Sequence, residues 1–202
     1  MKTTLFLLFI LLAGCSKDNS GYPTFTLPPE TQIGANTFGV TINGKVYIPR
    51  DPTAFNTGGN APRGVIFTGL PNGNWRELII VDGASSVGFK MVLHFKNLNP
   101  FGVGQHLLSN SNFLENLDSI DADHLFFMIW NDKINSYSYY GSIEGESEIN
   151  VTKYNIEPNV EWIFSGNFKG KFARYDNPDD SIEITDGRFD FNLKTVKTHP
   201  FP

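Results

Sequence analysis

Apolar and polar residues alternate along most of this chain, and the alternation has a period of two. The run NTFGVTINGKVYI over residues 36–48 sets Phe38, Val40 and Ile42 against smaller or polar neighbours. Asn43-Gly44 at its centre is the pair favoured for a two-residue type I′ turn, so the run predicts a β-hairpin. Residues 64–70 and 75–82 flank Pro71-Asn72-Gly73-Asn74 and predict a second hairpin. Residues 87–95 place Val87, Phe89, Met91, Leu93 and Phe95 on one face. His94 then falls on the other, solvent-facing side. LFFMIW, residues 125–130, is apolar at both parities and predicts a central strand covered on both faces. Residues 137–141 and 147–154 are further strand candidates.

Two later runs carry glycines inside the pattern. Val160, Trp162, Phe164, Phe168 and Phe172 keep period two across Gly166 and Gly170, which predicts one long strand bent or closely packed at the glycines. Ile182 and Ile184 occupy even positions, whereas Phe189, Phe191 and Leu193 occupy odd ones. That change of phase across Asp186-Gly187 predicts a β-bulge with glycine in the left-handed region, a tight turn being the alternative. No segment sustains a 3.6-residue period, and residues 107–117 (LLSNSNFLENL) are the one candidate for a short helix. The expectation is an all-β fold: an antiparallel β-sandwich or partly open barrel of about nine or ten strands, with at most one short helix.

The start of the chain departs from this pattern. Lys2 precedes an unbroken apolar run over residues 5–13 (LFLLFILLA), the layout of an export signal. The run is well short of the ~20 residues a membrane-spanning helix needs. Leu12-Ala13-Gly14-Cys15 matches the bacterial lipobox, in which the cysteine is acylated and becomes the first residue of the mature chain. Cys15 is the only cysteine, so its lipidation would leave no thiol for a disulfide or a thiolate metal site. Each CH₂ of an acyl chain contributes about 0.8 kcal/mol on burial, and more than one chain gives a stable membrane anchor. Residues 16–30 are small, polar and proline-bearing and read as a linker. The expected organisation is a signal peptide over 1–14, a flexible proline-containing tether over 15–34, one β-domain over 35–196 and a tail over 197–202.

Composition narrows the partners. The net charge of −5 becomes −6 once Lys2 leaves with the signal peptide, a balance that argues against nucleic acid or an anionic membrane surface. Aromatic residues make up 14% of the chain, with 18 Phe, ample for a core that needs neither disulfides nor metal.

Three stretches carry a family resemblance. Leu27-Pro28-Pro29-Glu30-Thr31-Gln32-Ile33-Gly34-Ala35-Asn36-Thr37-Phe38-Gly39-Val40, continuing to Asn43-Gly44-Lys45, resembles the opening of uncharacterised Bacteroidota lipoproteins grouped as domains of unknown function. Ile184-Thr185-Asp186-Gly187-Arg188-Phe189-Asp190 resembles their C-terminal region, as does Phe164-Ser165-Gly166-Asn167-Phe168 before it. Such relatives often have Cys where this chain has Val40. Cys15-Ser16-Lys17-Asp18-Asn19 also resembles their surface-export signal, with Asn19 where a second acid is more usual. The resemblance implies an outer-membrane lipoprotein displayed at the cell surface, with the periplasmic face as the alternative, and a β-rich fold, and it implies no activity.

Chemical motifs are sparse. His94, His106, His124 and His199 have none of the spacings of a zinc site. No phosphate loop or nucleophile elbow is present, so no catalytic residue and no cofactor are assigned. Asp176, Asp179 and Asp180 in YDNPDD could offer oxygens to Ca²⁺ but lack the EF-hand order, and a solvated loop is the better reading. The aromatics are the leading candidates for ligand contact: Tyr137, Tyr139 and Tyr140 on a short strand, and Trp75 beside the PNGN turn. Flat rings of this kind stack on sugars or anchor protein interfaces, unless they pack the core instead. The favoured function is therefore a non-catalytic binding module for a glycan or an envelope protein. A carboxylate-based hydrolase and a structural envelope component are the alternatives.

Overall fold

The computed structural model describes residues 23–53, 63–69, 75–117, 120–157 and 160–202. The leader with Cys15, residues 16–22, residues 54–62 and the turn 71–74 lie outside the described residues. Ten strands and one helical turn follow in chain order. They are β1 (Thr37–Ile42), β2 (Lys45–Tyr47), β3 (Val65–Thr68), β4 (Arg76–Val81), β5 (Lys90–Phe95), α1 (Leu98–Phe101), β6 (Gly104–Leu107), β7 (His124–Asn131), β8 (Ser136–Asn155), β9 (Ile163–Arg174) and β10 (Asn177–Asn192).

All the strands join one antiparallel sheet in the order β2-β1-β10-β9-β8-β7-β5-β4-β3, curled into a half-barrel. The first half of β8 pairs with β7, and β6 takes over along its second half. The chain just after β2 meets the end of β4 at a seam, through an isolated bridge between Arg50 and Asp82. Arg50, just after β2, donates from its N–H to the Val81 carbonyl and grips Asp82 through two guanidinium bonds of 2.7 Å. The C-terminal residues close the same seam, where Phe201 and Asp51 exchange hydrogen bonds.

The interior is apolar and largely aromatic. Phe38, Phe89, Phe95, Phe127, Phe164, Phe168, Phe172 and Phe191 are all fully buried in it. Burying each is worth roughly 2 kcal/mol. Period two therefore selects the inward face correctly on β1, β5, β9 and β10.

Several local expectations hold. Asn43 and Gly44 both have positive φ (51° and 75°), as a type I′ turn requires. β3 and β4 pair as the second hairpin, and β7 lies inside the sheet. The two candidates at 137–141 and 147–154 prove to be one strand, β8, with a break in register between Ser142 and Ser147. Glu146 and Glu148 lie beside that break and face Lys171 and Lys169 of β9.

Other expectations need correction. β10 carries the bulge between Ile184 and Gly187, but the φ of Gly187 is not positive. Glycine is required there for room, because a Cβ would fall inside the ring of Phe168. Residues 108–117 are not helical. The Phe113 N–H is taken by Ser111 Oγ and the Leu114 N–H by Asn112 Oδ1, while Phe113 and Asn116 adopt positive φ. Short polar side chains that capture backbone donors locally favour turns over helix. The only helical turn among the described residues is α1. Val160 and Trp162 precede β9 and are exposed.

The ends of the chain are tied to the barrel more closely than a flexible tether and a tail imply. Arg188 bonds the Pro28 carbonyl, and residues 31–35 are held by Asp190. Phe201, in the expected tail, is buried at 7% exposure.

Candidate functional site

The three stretches that carry the family resemblance converge on Asp190. This β10 residue points to the face opposite Phe189 and Phe191 and is 1% exposed. Its carboxylate accepts from five donors: Thr31 Oγ1 (2.5 Å), the N–H groups of Ile33, Gly34 and Ala35 (2.9–3.2 Å), and Ser165 Oγ (2.6 Å). Burial acts to raise its pKa, yet the Ser165 and Thr31 hydroxyls and the backbone donors hold it below the ordinary carboxylate value. Gly34 lies where a Cβ would come within 2.8 Å of Asn192 Cβ, and a Cβ on Gly39 would come within 2.5 Å of Pro28 Cδ. These residues thus form a clasp that fastens the N-terminal segment across the sheet.

A second polar group lies on the outer face, beneath residues 108–117. Glu77, His94 and His124 are register partners across β4, β5 and β7. The sequence places His94 on the outer face correctly, but it is 0% exposed and not solvated, because the 108–117 strap covers that face. Glu77 accepts from His94 Nδ1 and from the Asn116 N–H, all at 2.8 Å. His124 Nδ1 pairs with Ser111 Oγ at 3.0 Å. The two imidazoles lie 5.2 Å apart, centroid to centroid, and Trp75 stacks on His94 at 5.8 Å.

Ser111, His124, His94 and Glu77 are the residue types of a nucleophilic relay, but they are not assembled as one. The Nε2 atoms of both histidines have no hydrogen-bond partner. No hydrogen-bonded path therefore runs from Ser111 to the Glu77 carboxylate, and the row instead pins the strap. Burial and the neighbouring His94 push the His124 pKa down to about 4, so this ring is neutral at physiological pH.

His106 behaves in the opposite way. Burial works against its charged form, but hydrogen bonds to Asp123 (2.9 Å) and the Gly102 carbonyl (3.2 Å) hold its pKa above the ordinary value. His199 is half-buried in the C-terminal segment, its ring against Phe201.

The four aromatic candidates divide. Trp75 is 9% exposed and Tyr140 is 6% exposed; the first packs on His94 and the second stacks on Phe127 in the core. Neither offers a face to a ligand, because both rings are buried. Tyr137 and Tyr139 point outward instead. Tyr137 is the cross-strand partner of Trp130, their rings 5.3 Å apart and edge to face, and Tyr139 is the partner of Met128. Tyr139 is 43% exposed and Tyr175, in the next turn, 69%. Phe113 of the strap meets Tyr175 edge to face at 5.0 Å. Trp130, Tyr137, Tyr139 and Tyr175 thus form an outward aromatic ledge at the β7–β8 hairpin end of the barrel.

The sequence reading names only half of that ledge. Trp130 is hidden inside an apolar run that reads as core, and Tyr175 belongs to an acidic loop. Two of the three YDNPDD carboxylates have a structural use, since Arg174 pairs with Asp176 (2.6 Å) and Asp180 (3.0 Å), while Asp179 is exposed at the start of β10. Among the described residues no group of three His, Cys, Asp or Glu is placed to hold a metal ion. No family model, curated protein or solved structure matches the chain.

Proposed function

We propose that this protein is a lipid-anchored envelope protein, held by acyl chains on Cys15 and displayed at the cell surface, and that it acts as a non-catalytic binding module for a glycan. We place it with the Bacteroidota lipoproteins that its sequence resembles. The observation that carries the reading is the outward ledge of Trp130, Tyr137, Tyr139 and Tyr175. Exposed rings present flat apolar faces with polar edges, the surface on which a sugar ring stacks. The buried carboxylates support a binding role over hydrolysis. Glu77 serves His94 and Asn116, Asp82 serves Arg50, and Asp190 serves the clasp. Each is consumed by structure.

The test is retention of the full chain, solubilised in detergent, on an array of envelope and host glycans. Binding is expected, with Tyr139→Ala weakening it at least tenfold and leaving thermal stability nearly unchanged. Silence on every glycan, together with a stoichiometric envelope-protein partner in a pulldown, would overturn the sugar reading. Display is tested separately by adding protease to intact cells, where loss of a C-terminal tag is expected.

A further inference from the structure

The Asp190 clasp leaves a hollow beside it on the outer face of the sheet. Its volume is about 160 Å³, and its walls come from the clasped N-terminal segment, β1, β10, β9 and the end of β8. Strand parity brings its polar side chains together. Phe38, Phe168 and Phe189 face the core, so their neighbours Thr37, Asn167 and Arg188 face out. Asn167 and Arg188 are direct partners across β9 and β10. Thr152 joins them through an irregularity, because the β8–β9 register shifts between Val151 and Lys153 and inserts it as an extra residue.

Much of this lining is uncommitted. Among the described residues, the side chains of Gln32, Thr37, Thr152 and Asn167 make no hydrogen bond. Arg188 is mostly covered, its side chain 20% exposed, yet it is only loosely held. Nη1 lies 3.3 Å from the Pro28 carbonyl and Nη2 3.4 Å from Asp186 Oδ1. Nε stands 4.0 Å from Glu30 Oε1, and this buried nitrogen has no hydrogen-bond partner. Committed guanidinium–carboxylate bonds are much shorter, as the 2.7 Å bonds between Arg50 and Asp82 show.

The charges narrow the ligand. Glu30 and Asp186 both border Arg188 and are 57% and 50% exposed. An anion at Arg188 would meet two carboxylates, and a metal ion at the carboxylates would meet the guanidinium. A neutral ligand rich in hydroxyl groups meets neither penalty. Each hydroxyl both donates and accepts, and the lining answers both needs. The Arg188 Nε–H donates, the Glu30 carboxylate accepts, and the threonine hydroxyls and the Gln32 and Asn167 amides do either.

We propose that this hollow holds one neutral sugar ring, as a carbohydrate subsite separate from the ledge. Its volume lies below the usual range of ligand pockets, so it admits a single ring and not a chain of them. Pro29 supplies an apolar wall. The ledge occupies the start of β8 and the hollow its end, and the subsite does not depend on what the ledge binds.

The probes are the methyl pyranosides of glucose, galactose, mannose and N-acetylglucosamine, with open-chain sorbitol, sulfate and calcium as comparisons. Each is titrated into the ¹⁵N-labelled full chain in detergent. The Asn167 side-chain amide pair, assigned by its loss in Asn167→Ala, is followed. At least one pyranoside is expected to move that pair saturably and to bind at least fivefold more tightly than sorbitol. The deciding variants are Thr152→Val and Gln32→Leu, whose side chains take no part in the clasp. At least one of them should weaken the sugar fivefold or more while the Ile33, Gly34 and Ala35 amide resonances stay in place. No saturable shift with any pyranoside, equal binding of sorbitol, tighter binding of sulfate or calcium, or full binding by both variants would each overturn the proposal. The Tyr137 and Tyr139 amide resonances report the ledge in the same spectra, so the two sites succeed or fail separately.

Discussion

At the residue scale, the chemistry of this protein lies in buried polar groups whose partners are distant in sequence. His124 illustrates the consequence for pH. Its pKa is 6.5 in the unfolded chain and about 4 in the folded one. Between those values the unfolded state binds the extra proton, so stability falls as pH drops from 6.5 to 4 and levels off below. The total is on the order of 3 kcal/mol. His106 acts in the opposite sense: its raised folded-state pKa contributes stability that is fully present below 6.5 and fades as pH rises above it, so it opposes the loss only on the neutral side of 6.5. Urea titrations at pH 7 and pH 4.5 should show the loss, and His124→Gln, which keeps a partner for Ser111, should flatten it.

Asp190→Ala leaves five donors without their acceptor, the Ser165 hydroxyl buried and the other four partly buried, and should cost about 3 kcal/mol. Hydrogen exchange at Ile33, Gly34 and Ala35 should quicken even in Asp190→Asn. From sequence, Asp190 is one of several acids and His94 an outward strand residue. Periodicity assigns each to a face but not the chain that covers that face, so burial at both sites was not legible.

At the scale of elements, the strands were legible where a single local rule fixes them. Asn43-Gly44 specifies its turn through backbone conformation alone, and the phase change at Gly187 reveals a bulge because inward residues must stay inward. The reasons for the two glycines differ, which gives a paired prediction. Gly44 has positive φ and open space around it, so Gly44→Ala should cost about 1 kcal/mol, all of it conformational. Gly187→Ala meets the Phe168 ring and should cost about 1 to 3 kcal/mol through overpacking. Compensation by Phe168→Leu in a double-mutant cycle is expected only for Gly187. The 108–117 strap was not legible. Its apolar residues suggest a helix face, but Ser111 and Asn112 divert the backbone donors into turns, and Phe113 covers Phe126 from outside.

For the whole molecule, strand order is the property least visible in sequence. β1 lies beside β10, and β6 reaches β8 across the intervening β7, through pairings that no local pattern encodes. The seam contains a buried ion pair, with the Arg50 and Asp82 side chains 11% and 0% exposed. Removing one partner strands the other charge in the interior, so Asp82→Asn should cost about 3 to 5 kcal/mol, far more than an exposed pair would. Protection from hydrogen exchange should fall first along β3 and β4, while β9 stays protected.

The Asp190 clasp also sets a load path. A pull on the chain from its N-terminal side first separates Phe25 from Arg50 and Pro28 from Arg188. It then meets the hydrogen bonds of Thr31, Ile33, Gly34 and Ala35, all fixed to one carboxylate within β10. Those bonds must yield together before the β1–β10 ladder carries tension. Asp190 therefore acts as a mechanical stop that keeps a tug on the N-terminal segment from unzipping the sheet strand by strand.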